Sequence, residues 1–258
     1  MDEKKTSLFY RFIRALVKLF SPKYEITGLE NIPEEGCVIV GNHSQMYGPI
    51  AMELYAPKPH YIWCAGEMMH SEEVADYAFR DFWSEKPERV RWFFWIISRI
   101  IPPLSVCIFN NAHTIGVYHD MRVLETFRES VELVGRGAKV VIFPETSTKH
   151  NNILYEFTDK FIDMARIYYK KEGKNLMFVP MYLAPKLKKI IYGEPVLYDP
   201  TAKAKEERIR INNELMDRIT SLALSLPEHK VVPYKNMPKK KYPKSLPLEK
   251  YNNEETDV

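Results

Sequence analysis

Three apolar runs punctuate the chain: Cys37-Val-Ile-Val-Gly41, Val140-Val-Ile-Phe143 and Phe178-Val-Pro-Met-Tyr-Leu-Ala184. They are apolar at consecutive rather than alternate positions and rich in β-branched residues, which predicts strands covered on both faces, as in a parallel sheet flanked by helices. The first two break abruptly into polar sequence, Asn42-His43-Ser44-Gln45 and Glu145-Thr146-Ser147-Thr148. In open α/β sheets the residues just past the carboxyl ends of the strands line the ligand crevice. His43 and Glu145 are therefore expected in one pocket, at the same end of neighbouring strands.

Other stretches carry helical spacing. Residues 7–20 place Leu8, Phe9, Phe12, Ile13, Leu16, Leu19 and Phe20 opposite Arg11, Arg14 and Lys18. This helix is too polar to span a bilayer and lacks the apolar core and cleavage site of a signal peptide. It is expected to lie on an anionic membrane surface, the alternative being that its apolar face packs on the domain. Strands are expected over 24–29, 60–65, 114–118 and 189–192, and a short helix over 50–55. A helix opening at Asp120 carries Val123, Leu124, Phe127, Val131 and Val134, and Gly135 and Gly137 hand the chain to the Val140 strand. That strand, helix, strand order is a parallel crossover. Helices are expected over 153–171 and 203–226. The run Trp92-Phe-Phe-Trp-Ile-Ile-Ser-Arg99-Ile-Ile101, ended by Pro102-Pro103, is too interrupted for a span and reads as a helix covering the sheet or a lipid-facing element.

Composition sharpens this picture. With 258 residues, 45% of them hydrophobic and 28% charged, the chain can bury a large α/β core. The expected organisation is a helix over 1–22, one α/β domain over 23–227 and an extended or disordered tail over 228–258. The net charge of +3 is uneven: seven lysines against Glu249 fall within 230–250, while Glu254, Glu255 and Asp257 follow, leaving the rest neutral. A neutral body argues against a nucleic-acid partner, although the basic tail suits an anionic surface. Cys37, Cys64 and Cys107 lie far apart in apolar runs and form no C-x-x-C pair, so neither disulfides nor a metal site are expected. No G-x-S-x-G elbow supports a serine hydrolase.

In order and character, the motifs resemble the PlsC-like phospholipid/glycerol acyltransferase family over residues 24–200. That family's motifs N-H-x4-D, F-P-E-G-T and V-P stand here as N-H-S-Q-M-Y-G, F-P-E-T-S and V-P-M, so His43, Glu145 and Pro180 match. Gly48 stands where the family has an aspartate, and His119 where its second motif has an arginine. The resemblance implies a single α/β domain with a mostly parallel sheet and an O-acyltransferase of phospholipid synthesis. An acyl thioester, acyl-CoA or acyl-carrier protein, would donate to a hydroxyl of glycerol phosphate or a lysophospholipid, with no bound cofactor. His43 would be the general base, and Glu145, Asn42, Thr146 and His119 would bind substrate. Arg122 is a candidate substitute for the missing arginine, or else a solvated helix residue, and Glu145 or Asp120 is the candidate orienter of His43. The enzyme would sit peripherally on the cytoplasmic face of a membrane. The alternative is a lipid-binding member of the same fold that has lost catalysis.

Overall fold

The computed structural model describes residues 6–84, 86–118 and 120–245, so His119 and the end of the tail lie outside the described residues. In chain order the elements are α1 (Leu8–Phe20), β1 (Glu25–Thr27), β2 (Cys37–Gly41), α2 (Tyr47–Tyr55), β3 (His60–Ala65), α3 (Ser71–Ala78), α4 (Glu88–Ile100), α5 (Pro102–Asn111), β4 (Thr114–Val117) and α6 (Val123–Gly135). They continue with β5 (Lys139–Ile142), β6 (Glu145–Lys149), β7 (Tyr155–Phe157), α7 (Asp163–Glu172), β8 (Met177–Ala184), β9 (Lys189–Tyr192), β10 (Val196–Leu197), α8 (Ala204–Leu224), β11 (His229–Lys230) and β12 (Lys244–Ser245). The described chain forms two compact units, one from residues 6–21 and 61–129 and a larger one from 22–60 and 130–245.

The larger unit is built on a mostly parallel sheet in the order β1, β9, β8, β2, β5. β2 runs parallel to both its neighbours, with Val38 opposite Phe178 on β8 and Val140 on β5. β1 is parallel to β9, whereas β9 and β10 are antiparallel to β8. Cys37, Val38, Ile39 and Val40 are wholly inaccessible, as a central strand covered on both faces requires. α8 packs on β8 and buries Ile211, Leu215, Ile219 and Ala223, four residues apart along one stripe. α7 ends where Gly173 takes the left-handed conformation, φ 67°, that closes a helix at little cost to glycine.

Two sequence expectations change here. The helix expected over 153–171 begins only at Asp163, because its first part is β7, paired antiparallel with β6. The Asn151 carboxamide accepts hydrogen bonds from the Ile153 and Leu154 amides and makes the turn, after which Tyr155 and Phe157 point inward on alternate positions. The described part of the tail, residues 228–245, is folded and partly buried despite its lysines and prolines. Val231, Val232 and Tyr242 are buried, β11 pairs with β12, and the buried His229 Nε2 lies 2.8 Å from the Tyr182 hydroxyl.

In the smaller unit β3 and β4 pair in parallel, with α3, α4 and α5 packed together beside them. The Ser7 hydroxyl caps α1 by accepting from the Tyr10 amide at 3.1 Å, and the Ser7 amide donates to Asn111 Oδ1 on α5 at 2.7 Å. Of α1's side chains only Tyr10 is buried. Leu8, Phe9, Phe12, Leu16, Leu19 and Phe20 remain exposed, Phe20 by 83%, so the apolar stripe does not pack on its own unit. α4 likewise exposes Trp92, Phe93, Trp95, Ile96 and Ile100. No single described helix is long and apolar enough to cross a membrane, although α4 and α5, bent by 52°, pass that test together.

Candidate active site

Because β2 and β5 are parallel neighbours in register, the residues following them emerge side by side. The backbone N–H of His43 donates to Glu145 Oε2 at 2.6 Å. The other oxygen of the same carboxylate accepts from the backbone N–H of Tyr155 on β7 at 3.0 Å. Glu145 thus ties the His43 loop to the β6–β7 hairpin and leaves the imidazole alone. Burial pushes its carboxyl up to about 7, the two amide donors only partly opposing this.

The loop after His43 is tightly wound. Ser44 and Gln45 both adopt positive φ, 48° and 54°, at a cost of about 1–2 kcal/mol each for a residue with a Cβ. Surrounding bonds hold them there. The Ser44 hydroxyl accepts from Asn42 Nδ2 at 2.8 Å, and the Gln45 carboxamide donates to the Lys235 carbonyl and accepts from the Tyr242 hydroxyl, each at 3.2 Å. The Gly48 amide closes the turn on the His43 carbonyl at 3.1 Å. A Cβ on Gly48 would sit 2.3 Å from that carbonyl oxygen and 3.1 Å from Phe143 Cε1, so no side chain fits in this turn.

The His43 ring lies in aromatic surroundings, edge-on to Phe143 at 5.2 Å between centroids and to Tyr234 at 5.5 Å. Its Nδ1 is buried with no hydrogen-bond partner among the described residues. Burial holds the imidazole below its ordinary pKa, with backbone groups of Gln45 and of His43 itself partly opposing. His43 is accordingly neutral at pH 7, the form a general base needs.

The remaining candidates are placed differently. Asn42 accepts from the Leu183 amide at 2.7 Å and donates to the Leu183 carbonyl at 3.0 Å and to Ser44, so its carboxamide welds the loop to β8 rather than facing a ligand. Thr146 is partly buried beside Glu145, its hydroxyl accepting from the Thr148 amide at 3.3 Å. Arg122 belongs to the smaller unit. It is ion-paired with Asp120 at 2.8 Å and with Glu73 at 3.4 Å, and its guanidinium lies 4.0 Å over the Tyr118 ring. Asp120 is thereby committed to Arg122, and both oxygens of Glu145 to backbone amides. Tyr234 carried no sequence signal at all, since only the folded tail brings it to His43.

A family model described as Acyltransferase matches residues 23–184, which contain His43, Gly48 and Glu145. The chain belongs to the acyltransferase family. No curated protein sequence matches it significantly. Among solved structures it is similar to the 1-acyl-sn-glycerophosphate acyltransferase PlsC from Thermotoga maritima, with 17% identity over 83% of this chain and 79% of that one and a TM-score of 0.43. For an acyltransferase, the arrangement supplies a neutral imidazole held by its backbone next to a buried carboxyl, with the aspartate of the family pattern replaced by a glycine that cannot be enlarged.

Proposed function

We propose that this acyltransferase moves a fatty acyl group from an acyl thioester, acyl-CoA or acyl-carrier protein, to a hydroxyl of glycerol phosphate or a lysophospholipid, with His43 as general base. The observation that carries this reading is the coupling of His43 to Glu145 across parallel strand ends, with the imidazole kept neutral by burial. Nδ1 is buried without a partner among the described residues, and we assign Nε2 as the nitrogen that takes the proton. The acceptor oxygen attacks the thioester carbon as its proton passes to Nε2. The tetrahedral adduct then expels the thiolate, which takes that proton back, giving an ester and a free thiol. Thr146, next to Glu145, is the residue we assign to acceptor contact.

The lysophospholipid acceptor and the acylated product are amphiphiles, and the exposed stripes of α1 and α4 give the enzyme a means of reaching them in a membrane. Phe, Leu and Trp are exposed there, and Arg11, Arg14 and Lys18 lie on the same α1 helix, a pattern that favours anionic lipid. Peripheral attachment to the cytoplasmic face of a membrane follows from this reading.

A second reading, lipid binding without transfer, is favoured by one observation: no carboxylate among the described residues reaches the His43 ring. Product analysis by mass spectrometry, with mixed acyl thioesters and lysolipids, separates the two. New ester formed by the wild type and not by His43→Ala supports transfer, whereas lipid bound with no ester formed supports the second reading.

A further inference from the structure

A base works only if its ring is held in one orientation, and in this site no side chain among the described residues hydrogen-bonds the ring to do so; only backbone groups of Gln45 and of His43 itself act on it. Nδ1 is buried and unpartnered, Gly48 has no room for a side chain, and both oxygens of Glu145 accept from backbone amides. What touches the ring is aromatic. Phe143 comes from the link between β5 and β6, and Tyr234 from a segment far away in sequence.

That segment is fastened on both sides of Tyr234. Before it, Val231 and Val232 are buried and the Val231 amide donates to the Pro243 carbonyl at 2.9 Å. After it, the Lys235 carbonyl and the Tyr242 hydroxyl both engage Gln45, two residues from His43. The Tyr234 ring also lies 6.0 Å from that of Tyr155, whose amide is the second donor to Glu145. A closed circuit results: one carboxylate grips the backbones of His43 and Tyr155, and one phenol ring touches the rings of both.

We propose that Tyr234 is a positioning residue for His43, its ring fixing the imidazole by packing where the family pattern uses a carboxylate. The inference rests on the reading of His43 as the base. It also gives the folded part of the tail a purpose, since the segment holding Tyr234 spends its internal bonds on keeping that ring in place. The titratable groups around this circuit are Glu145, Tyr155 and Tyr234, and burial and the nearby Glu145 charge push the Tyr155 phenol above its ordinary value.

The test uses the full chain with 13C-labelled histidine, the His43 signal assigned with His43→Ala, and follows both the His43 titration and steady-state transfer. Tyr234→Ala is expected to move the His43 midpoint upward as burial is relieved and to lower kcat by about ten- to a hundredfold with KM little changed. Tyr234→Phe, which keeps the ring, is expected to restore both. Gln45→Asn, which suits a left-handed position but is too short to reach the segment, is expected to act like Tyr234→Ala in weaker form, and it carries the test if that variant does not fold. An unmoved midpoint and kcat in Tyr234→Ala, or a Tyr234→Phe as damaging as the alanine, would overturn the proposal. A wild type that transfers nothing, but whose His43 midpoint still moves in Tyr234→Ala, would overturn the base reading and this role with it, leaving only the ring contact.

Discussion

The carboxylate of Glu145 binds the backbone N–H of His43 at 2.6 Å and not its imidazole. Glu145 therefore governs where the His43 loop sits, and Glu145→Ala should loosen that loop as well as lower activity. Losing both carboxylate oxygens leaves the His43 and Tyr155 amides unsatisfied, at about 1–3 kcal/mol for each buried group. Urea unfolding of this variant should show the loss, and a melt identical to the wild type would contradict it.

The same carboxyl gives stability a pH dependence. Its folded-state pKa is raised from 4.5 to about 7, so between those values the folded protein binds more protons than the unfolded chain. The contribution is fully present below about pH 4.5 and lost as pH rises through 7, a swing on the order of 3 kcal/mol. Relative to Glu145→Gln, which cannot titrate, wild-type stability should fall between pH 5 and pH 8. Parallel stability curves for the two proteins would exclude it.

Gly48 stands where the family pattern has an aspartate, yet its turn has no space for a Cβ. Restoring the family's aspartate with Gly48→Asp should therefore not raise activity. It should cost stability by about 1–3 kcal/mol, the usual penalty of overpacking. A variant more active than the wild type in the same transfer assay would show that the turn opens readily.

Asn42 follows β2 and was expected to meet substrate, but it spends its carboxamide on Leu183 and Ser44. Asn42→Ala should lower the unfolding midpoint, by about 1–3 kcal/mol in free energy, and leave KM for the acceptor unchanged. A raised KM with unchanged stability would return it to the binding site.

The exposed stripes of α1 and α4 should bind vesicles. Replacing Phe9, Phe12 and Leu16 by serine should release the protein from anionic liposomes in a sedimentation assay. Added salt should weaken wild-type binding, since exposed charges are screened over about 8 Å at physiological ionic strength. Equal sedimentation of variant and wild type would rule out α1 as the attachment.

The strands and the pairing of His43 with Glu145 could be read directly, because a strand buried on both faces writes itself as a continuous apolar run. β7 could not, because Ile153, Leu154, Phe157 and Phe161 have helical spacing and the Asn151 turn that overrides it depends on a side-chain bond. The tail misled for the opposite reason: Val231 and Val232 are too few to form a period, and their burial depends on partners distant in sequence. The reason for Gly48 and the place of Tyr234 are both tertiary, set by approaches to His43 that no local pattern records.

The most direct measurement is ester formation by purified wild type and His43→Ala, across a panel of acyl thioesters and of glycerol phosphate and lysophospholipid acceptors, read by mass spectrometry. Transfer by the wild type to at least one acceptor, with a loss of a hundredfold or more in His43→Ala, on the order of what removing a general base costs, is the expected result. Transfer that survives in His43→Ala at the wild-type rate would contradict the assignment of His43 as the base.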